Sequence, residues 1–547
     1  MTAPNPSTAM ARVVMDQLEL AGVGLVVVSP GSRSAALAIA AASQPGIHTR
    51  VVVDERSAAF HALGAARASG RPAAVVSTSG SAPANFYPAV VEADMACVPL
   101  VVISADRPDE LRGVGANQTI DQVDLFGGKV RGFAELAAPG AGADLNRHWR
   151  TTVSSLLNLA ARPKPGPVHL NAAFREPTVP VSDDGRTRGP VYPFPTPRLD
   201  EWEAPPGTGR PGGFVAPLGG ERGVVVAGDG SYDRAGLLDR AAELGWPVLA
   251  TALSGMRGGG VISTYHHLLS RGIPPELAPT TVVAVGAIGP SQSLERLVAA
   301  AANRIRVDAW GRVIDPGRNA TIIHQGDPLE VLDAVEAGAE LDWAPAWVGA
   351  DKACRDRLRS RLSRSEVMTG AGVADALNEV GWGALVAASS LPIREIDAHV
   401  TRPGAVYANR GASGIDGFVS TALGVAGVEP ATLALSGDLS LLHDSNGFLH
   451  DDAIDLAMMV VDNGGGGLFD SLPPAIHAPD YERLFVAPHR RDLADLARFH
   501  HLAYRRVGDV ASLIAACDGA LSAGGVTLIH VPVDRGDDLR MRSQLEA

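Results

Sequence analysis

The chain has 547 residues, of which 46% are hydrophobic and 5% aromatic, and its formal net charge is -13. At ~150 residues per domain, this length predicts three or four domains. The negative charge argues against nucleic acid or an anionic membrane as a partner. The cysteines, Cys97, Cys354 and Cys517, are far apart and predict neither a disulfide framework nor a zinc site. Because no apolar stretch reaches the ~18 residues that span a bilayer, we expect a soluble cytoplasmic protein.

Strand and helix patterns alternate through the first 180 residues. Short apolar runs rich in β-branched residues predict strands at 24–28, 49–53, 73–77, 100–103 and 168–171. Longer runs predict helices at 8–21, 57–69, 84–94 and 147–160. This alternation is typical of a parallel α/β sheet, so residues 1–180 are predicted to form the first domain.

Two further blocks of the same kind follow. A Pro/Gly-rich linker at 181–220 is predicted to lead to a middle α/β domain at 221–345. A charged connecting helix at 346–368 then precedes a third α/β domain at 369–547. The predicted fold is therefore α/β, with three doubly wound parallel-sheet domains.

Two polar motifs follow strand-like runs in the third domain. Asp438 comes after the apolar run 432–435 and Asn463 after the run 456–461, with a short helix predicted between them at 444–449. In a right-handed strand-helix-strand unit, both residues lie at the carboxyl edge of one parallel sheet. Their oxygens are ligands that Mg²⁺ prefers, and the glycines after Asn463 allow a metal and a diphosphate group to approach the backbone. The pair predicts a metal site.

A similar motif in the middle domain is predicted to be structural. Gly228-Asp229-Gly230 also follows an apolar run, but the segment 253–257, about as far downstream, offers no Asn or Asp ligand. Gly-Asp after a strand is a common turn. We therefore predict a strand-end turn there.

Glu55 lies where a predicted strand meets a helix in the first domain. An acid in the first turn of a helix is favoured by the helix dipole alone, so the position has an ordinary structural explanation. The Asp438 and Asn463 motif, however, resembles the diphosphate motif of thiamine-diphosphate enzymes, which place a glutamate at this point. The resemblance implies that Glu55 hydrogen-bonds the aminopyrimidine ring of the cofactor and assists proton transfer. It also implies a homodimer or homotetramer with active sites at the subunit interface.

Further segments narrow the resemblance. They read SPGSRS at 29–34, SADRP at 104–108, GANQ at 115–118, GPVH at 166–169 and NRGASGIDG at 409–417. Together with the metal motif they resemble the thiamine-diphosphate-dependent 2-succinyl-5-enolpyruvyl-6-hydroxy-3-cyclohexene-1-carboxylate synthases of menaquinone biosynthesis. The resemblance covers the first and third domains well and the middle domain weakly. It implies pyrimidine-binding, middle and diphosphate-binding domains, in that order.

The resemblance also implies a transferase (carboligase) reaction. In this family 2-oxoglutarate is decarboxylated, and the succinyl-semialdehyde carbanion adds to isochorismate, with thiamine diphosphate and Mg²⁺ or Mn²⁺ as cofactors. The implied metal ligands are Asp438, Asn463 and the backbone carbonyl of Gly465. The implied catalytic residues are Glu55, Asn117 and Gln118. The implied cofactor-binding residues are Glu55, Gly437, Leu439, Ser440, Ser390 and Ile415, the last as an apolar wedge against the cofactor.

Two anionic substrates require cations in an otherwise acidic protein. Planar guanidinium groups hold carboxylates with paired hydrogen bonds, which a lysine cannot match in geometry. The resemblance implies the substrate-binding residues Ser32, Arg33, Arg107, Arg394 and Arg410. Taken without their segments, these arginines are equally compatible with surface ion pairs.

Two positions depart from the family pattern. The segment 286–293 carries no cation where the family often has a basic pair, and Asp462 replaces a common Asn before Asn463. Two other functions stay open at this point. One is another thiamine-diphosphate 2-oxoacid decarboxylase or acetolactate-type synthase. The other is a nucleotide-binding dehydrogenase or a non-catalytic α/β module, although no convincing Gly-x-Gly-x-x-Gly opens a helix.

Overall fold

The computed structural model describes residues 3–139, 145–180, 218, 220–336, 338, 340, 342–450 and 453–546. Nearly all of the predicted linker, 181–220, lies outside the described residues. The described strands form three parallel sheets accompanied by helices, which confirms the predicted α/β fold class. By packing, the chain divides into two compact units. The first comprises Met1–Pro205, Asn409–Glu429 and His443–Ile454, and the second comprises Pro206–Ala408, Pro430–Leu442 and Asp455–Ala547.

The first sheet has six parallel strands. They are β1 (Leu25–Val28), β2 (His48–Val51), β3 (Ala73–Ser77), β4 (Leu100–Asp106), β5 (Phe133–Leu136) and β6 (Val168–Ala173). The helices of this region are α1 (Pro6–Leu20), α2 (Ala35–Ala42), α3 (Glu55–Ser69), α4 (Tyr87–Ala96) and α5 (Leu145–Ala161). The strand order is β2-β1-β3-β4-β6-β5. The predicted strands correspond to β1–β4 and β6, and the predicted helices to α1 and α3–α5, whereas the sequence patterns missed β5 and α2.

Both faces of the first sheet are buried, as in a doubly wound fold. Val26 and Val28 belong to a core cluster with residues of α1, α2 and α5, whereas Val27 belongs to a cluster with residues of α3 and α4. Successive side chains of a strand point to opposite faces, so a strand covered on both sides is apolar throughout. Polar residues therefore gather at the strand ends.

The middle sheet has five parallel strands. They are β7 (Gly223–Ala227), β8 (Val248–Ala250), β9 (Thr281–Val285), β10 (Asn303–Val307) and β11 (Ile322–His324), in the order β11-β10-β9-β7-β8. The helices are α6 (Arg234–Glu243), α7 (Tyr265–Leu268), α8 (Gln292–Ala300) and α9 (Pro328–Asp333). This topology agrees with the predicted α/β pattern.

The Gly228-Asp229-Gly230 motif forms a turn at the end of β7, as predicted. The Asp229 N–H donates to Ala287 O at 2.9 Å, and the Ala287 N–H donates to Asp229 O at 2.9 Å. This antiparallel bridge joins the carboxyl ends of β7 and β9. The chain leaves these two strands in opposite directions across the sheet, which is the switch point where such sheets commonly bind ligands.

The charged connecting helix, α10, spans Trp343–Leu362. It begins and ends earlier than the predicted range, 346–368. Its first residue is buried, and the Trp343 indole N–H donates to Gly223 O at 2.8 Å, which ties the helix start to the middle sheet. The aromatic anchor, rather than the run of charge, sets where the helix begins.

The third sheet again has six parallel strands. They are β12 (Ala384–Ala387), β13 (Ala405–Ala408), β14 (Thr432–Gly437), β15 (Leu456–Asp462), β16 (Ala503–Arg506) and β17 (Val526–Pro532), in the order β13-β12-β14-β15-β17-β16. The helices are α11 (Gly370–Ala376), α12 (Leu391–His399), α13 (Phe418–Ala426), α14 (Asp438–His443), α15 (Pro474–His477), α16 (Leu493–Phe499), α17 (Val510–Ala523) and α18 (Arg535–Glu546). The short helix predicted at 444–449 is present as a 3-10 helix, Ser445–Phe448. The sequence patterns missed α14, which begins directly at Asp438.

Helices α3 and α13 pack together at two glycines within the first unit. A Cβ on Gly64 would lie 2.2 Å from Thr421 O, and one on Gly424 would lie 2.1 Å from His61 O. The two backbones are therefore closer than any side chain would permit. Because α3 begins at Glu55, this contact fixes the position of that glutamate's helix against α13.

Candidate active site

Asp438 stands at the carboxyl end of a strand, as its place after an apolar run predicts. β14 ends at Gly437 and α14 begins at Asp438. The Asp438 carboxylate is buried, and it accepts hydrogen bonds from the Gly465 N–H at 2.8 Å and from the Leu439 N–H at 2.6 Å. Burial raises the pKa of the Asp438 carboxyl, because a charge away from water is costly unless a cation balances it.

The loop after β15 brings a second oxygen ligand to the same edge. β15 pairs with β14 and ends at Asp462, so Asn463 follows the neighbouring strand. The Asn463 Oδ1 atom is buried and has no hydrogen-bond partner among the described residues. A buried carbonyl oxygen without a partner is costly, and a coordinated cation would satisfy it.

Gly465 makes a close approach that only glycine allows. Its φ is 144°, and a Cβ there would lie 2.4 Å from Val486 O. Its N–H contacts Asp438, while its carbonyl accepts a hydrogen bond from the Gly467 N–H at 3.0 Å. The contact with Asp438 is thus made by the amide of Gly465, whereas the sequence analysis assigned its carbonyl to the metal.

Open space lies beside both motifs. A Cβ on either Gly437 or Gly464 would meet no atom within 4 Å. Leu439 and Ser440 follow in the first turn of α14. Carboxylate and amide oxygens beside glycine-lined space fit a hard divalent cation together with a phosphate group.

Two histidines complete this edge, and the sequence analysis missed both. His489 Nε2 lies 3.1 Å from Asp438 Oδ2 and 3.8 Å from Asp462 Oδ1, and ligand atoms of these three residues lie within 4.8 Å of one another. His530 Nε2 lies 3.0 Å from Asp462 Oδ2. His530 is near the end of β17, beside β15, so its strand position could have indicated it. His489 carries no such signal, because it follows a segment with no regular pattern.

Ser390 and Arg394 lie together at the start of α12, in the second unit. Ser390 has φ 75° and ψ -126°, a strained backbone for a residue other than glycine. The exposed Arg394 side chain donates from Nη1 to Ser390 O at 2.8 Å. Strain of this kind is common at ligand sites, and the roles assigned to these two residues stay predictions.

Glu55 is the first residue of α3, but it does not cap the helix. Asp54 caps it, because the Asp54 carboxylate accepts a hydrogen bond from the Ser57 N–H at 3.0 Å. The second oxygen of Asp54 accepts from Asn446 Nδ2 at 3.0 Å. The half-buried Glu55 carboxylate is therefore not needed as the helix cap, although its place in the first turn still suits the helix dipole.

Arg33 and Arg107 lie near each other in the first unit. The buried Arg33 guanidinium donates to Phe174 O at 2.8 Å and lies 3.3 Å from the Glu176 carboxylate. Burial and the charge of Arg107 lower the pKa of Arg33. Arg107 donates to Asn117 O at 3.1 Å. Two like charges held at one edge raise the local positive potential, which an anionic ligand would offset.

Gln118 is held in a left-handed conformation, with φ 54°. Its Nε2 donates to Ser79 O at 3.1 Å, and the Ser79 hydroxyl donates to Gln118 O at 2.9 Å. Nearby, the buried Gln122 accepts from the Gly80 N–H at 3.2 Å and donates to Asn171 Oδ1 at 2.9 Å. Ser79 and Gln122, which the sequence analysis did not single out, thus fix the loop that presents Asn117 and Gln118.

The remaining predicted residues also belong to the first unit. Ser32 is exposed beside Arg33, and Arg410 is half-buried in the loop before α13. Ile415 in the same loop is 36% exposed. A large apolar side chain at that exposure is not part of the core.

Comparisons with known proteins agree on one family. Residues 8–125 match the family described as "Thiamine pyrophosphate enzyme, N-terminal TPP binding domain". The chain is 41% identical to a 2-succinyl-5-enolpyruvyl-6-hydroxy-3-cyclohexene-1-carboxylate synthase from Thermobifida fusca, over 99% of this chain and 98% of the relative. The chain belongs to this synthase family. Synthases of the same name from Rubrobacter xylanophilus and Halorubrum lacusprofundi are 38% and 35% identical, over 99% and 100% of this chain and 98% of each relative.

Membership in the synthase family confirms the resemblance inferred from the motifs. The chain is therefore an enzyme that depends on thiamine diphosphate. The dehydrogenase and the non-catalytic module are both wrong as alternatives. Across the part of the chain that the structure describes, no helix is both long enough and apolar enough to cross a membrane.

Proposed function

We propose that this chain catalyses the reaction for which its family is named. It decarboxylates 2-oxoglutarate and adds the succinyl-semialdehyde carbanion to isochorismate, which gives 2-succinyl-5-enolpyruvyl-6-hydroxy-3-cyclohexene-1-carboxylate in menaquinone biosynthesis. The observation that carries the proposal is 41% identity to a synthase of that name over 99% of the chain. The family-specific segments PGSR at 30–33 and NRGASGIDG at 409–417 support it further.

We propose that Asp438, Asn463 and the carbonyl of Gly465 bind Mg²⁺, or Mn²⁺ in its place. The unpaired Asn463 Oδ1 and the buried Asp438 carboxylate support this assignment, because a divalent cation would offset the cost of burying both. Gly437, Leu439 and Ser440 line the adjoining space and would hold the diphosphate of the cofactor. When bound, thiamine diphosphate supplies the electron sink for decarboxylation.

Glu55 has the role of moving a proton at the aminopyrimidine ring. A carboxylate suits this role when it is sheltered and free to accept a hydrogen bond from the ring. The half-buried Glu55 meets the first condition, and the capping of α3 by Asp54 leaves its carboxylate free of that task. Ile415 and Ser390 would contact the same cofactor, Ile415 through its exposed side chain.

The predicted substrate residues supply positive charge and hydrogen bonds for two anionic substrates. Arg33 and Arg107 form one pair in the first unit, and Arg107 contacts the backbone of Asn117. Arg394 stands over Ser390 in the second unit. The remaining members of the set are Arg410 and Ser32, whereas Asn117 and Gln118 belong to the proposed catalytic residues.

We further propose a cytoplasmic homodimer or homotetramer with active sites at the subunit interface. The proposal rests on the family resemblance, in which the pyrimidine-binding and diphosphate-binding domains of one site come from different subunits. The predicted limits of these domains are 1–180 and 369–547, with the middle domain at 221–345 and the connecting helix at 346–368. Sedimentation at micromolar concentration would distinguish the dimer, the tetramer and the monomer.

The decisive experiment follows isochorismate and carbon dioxide together. The protein loaded with thiamine diphosphate and Mg²⁺ is expected to consume isochorismate and release carbon dioxide only when 2-oxoglutarate is also present. Asp438→Asn is expected to abolish this, whereas the matched change Asp229→Asn, in the structural motif of the middle domain, is not. A folded, loaded sample without turnover would overturn the proposal. Turnover of pyruvate without isochorismate would instead favour another thiamine-diphosphate 2-oxoacid decarboxylase.

A further inference from the structure

A buried carboxylate of the first domain holds the loop that carries Arg410. Glu92 lies on α4 and is 2% exposed. Its Oε1 accepts a hydrogen bond from the Gly411 N–H at 2.7 Å, and its Oε2 accepts one from the Ala412 N–H at 2.6 Å. These two amides directly follow Arg410 in the chain. One side chain therefore fixes the two peptide groups next to a proposed substrate ligand.

These hydrogen bonds are of the strong kind. Their acceptor is a carboxylate, they are short, and both oxygens of Glu92 are used. A buried carboxylate that loses such donors bears the full cost of its desolvation. The loop and the carboxylate consequently stabilise each other's position.

The backbone of the loop also lies directly on α4. A Cβ on Gly411 would lie 2.7 Å from Glu92 O and 2.8 Å from Ala96 N. At the other end of the loop, a Cβ on Gly417 would lie 2.0 Å from the ring of Phe60, a residue of α3. Residues of α3 and α4 thus hold both ends of the segment 409–417, and the exposed Ile415 lies between them.

We infer that Glu92 is a positioning residue for Arg410. It fixes the peptide groups after Arg410, so that the guanidinium meets a substrate carboxylate without first paying the entropy of ordering the loop. The inference rests on the proposed function, because it acts through a residue to which that proposal assigns substrate binding. Glu92 lies 319 positions before Gly411, so only the folded chain brings them together.

A double-mutant cycle in kcat/KM tests the inference. Glu92→Gln keeps the size of the side chain but replaces one acceptor oxygen with an N–H₂ group that faces a backbone N–H. In the otherwise unchanged enzyme we expect kcat/KM for the substrate bound by Arg410 to fall about tenfold. In an Arg410→Lys background the same change is expected to cost less than about twofold, because residues that act through each other are not additive.

Amide exchange and a control variant distinguish a loss of loop positioning from a general loss of stability. Without substrates, the amides of Gly411 and Ala412 are expected to exchange hydrogen about tenfold faster in Glu92→Gln than in the unchanged protein. Asp94→Asn is the matched control, because Asp94 lies on the same helix but pairs with Arg131 and makes no bond to the loop. It is expected to change neither amide exchange at these two positions nor kcat/KM.

The possible outcomes separate this inference from the proposed function. If the unchanged enzyme turns over but Glu92→Gln costs the same factor in both backgrounds, Glu92 is merely structural and the inference is overturned. Unchanged amide exchange at Gly411 and Ala412 would overturn it as well. If the unchanged enzyme shows no turnover at all, the proposed function fails first. Should Glu92→Gln not fold, Glu92→Asp, which keeps the charge but shortens the side chain, goes through the same cycle and amide measurement.

Discussion

The first and third sheets run their strands in the same relative order but carry different polar side chains beyond their strands. Counted from the first strand of each sheet, both follow the order 2-1-3-4-6-5. Arg33 and Arg107 lie near each other beyond the strands of the first sheet, whereas Asp438 and Asp462 lie at the strand ends of the third. Shared connectivity therefore determines where polar residues collect, and the residue types determine which ligand they suit.

The middle sheet shows that a Gly-Asp motif at a strand end does not by itself make a metal site. It also has a Gly-Asp motif at a strand end, at Asp229, but its strand order differs. At the neighbouring strand end there, the backbone of Ala287 makes two hydrogen bonds with the backbone of Asp229. Beside Asp438 the neighbouring strand end offers the unpaired oxygen of Asn463 instead. The residue at the end of the neighbouring strand, rather than the Gly-Asp pair itself, thus distinguishes a candidate metal site from a turn.

The largest expected effect lies at the first sheet. Glu55→Gln should lower turnover roughly 10²–10⁴-fold, because it removes the proposed proton acceptor, while thiamine diphosphate should bind almost as well. Steady-state kinetics and calorimetry measure the two effects separately. Glu110→Gln is the matched control, since Glu110 is exposed and pairs with Arg175. A near-normal rate in Glu55→Gln would show that the proton-transfer role is misassigned.

The corresponding change at the third sheet should act on binding. Asp438→Asn is expected to weaken Mg²⁺-dependent binding of thiamine diphosphate about 100-fold, since it removes a charged ligand from a buried site. Asp462→Asn should cost less, because Asp462 is engaged by His530 Nε2 at 3.0 Å and by the Gly464 N–H at 3.0 Å. Calorimetric titration at fixed Mg²⁺ measures both affinities. Equal losses would contradict the choice of Asn463 over Asp462 as the ligand.

Asp444, unlike Asp438, is a buried carboxylate to which we assign only a structural role. Burial raises its pKa to about 6, although a hydrogen bond from the Ser420 N–H at 2.8 Å and Arg56 at 3.5 Å favour its charged form. The native state therefore binds a proton more tightly than the unfolded state, whose Asp pKa is near 4. The free energy of unfolding should fall by roughly 3 kcal/mol as the pH rises from about 4 to about 6.

Asp444→Asn should remove that pH dependence. Thermal unfolding midpoints of the two proteins, measured at a fixed scan rate between pH 4 and pH 7, provide the test. The unchanged protein should lose stability relative to the variant as the pH rises through this window. Curves that stay parallel would mean that Asp444 ionises in the native protein as it does in the unfolded chain.

The smallest expected effect comes from changing the shape of the cationic group of Arg394. Arg394→Lys keeps the positive charge but removes the planar donor pair, so the KM of the substrate that it binds should rise about tenfold while kcat changes less. Arg498→Lys is the matched control, because Arg498 is exposed and pairs only along its own helix with Asp495. A KM that does not change would mean that Arg394 supplies charge alone.

Those strands and site residues that follow a clear local pattern could be predicted from the sequence. The apolar runs of β14 and β15 are continuous, so their ends, and with them Asp438 and Asn463, could be placed on adjacent strands. β5 was missed because it is a short edge strand, and three of its four residues are only half-buried, which weakens its pattern. The short helix predicted at 444–449 is present as a 3-10 helix, but α14 was missed because an apolar pattern cannot show that a helix starts at Asp438 itself.

The rest of the candidate site depends on contacts between distant segments. His489 reaches Asp438 across 51 positions from a segment with no regular pattern. Glu92 stands on a helix whose other buried residues are mostly alanine and valine, so its spacing gives no sign that it bonds a loop far along the chain. Gln122 is similar, since its partners Gly80 and Asn171 lie in the loop after β3 and in β6. Contacts of this kind arise only from the folded chain.

The glycine contact between α3 and α13 fixes the helix that begins at Glu55 against the helix that follows the loop of Arg410. Main chain touches main chain at Gly64 and Gly424, so no side chain separates the two helices at these two points. The distance from the Glu55 helix to the loop of Arg410 is consequently set by peptide geometry. A side chain added at either position would therefore force the Glu55 helix away from α13 and from the loop of Arg410.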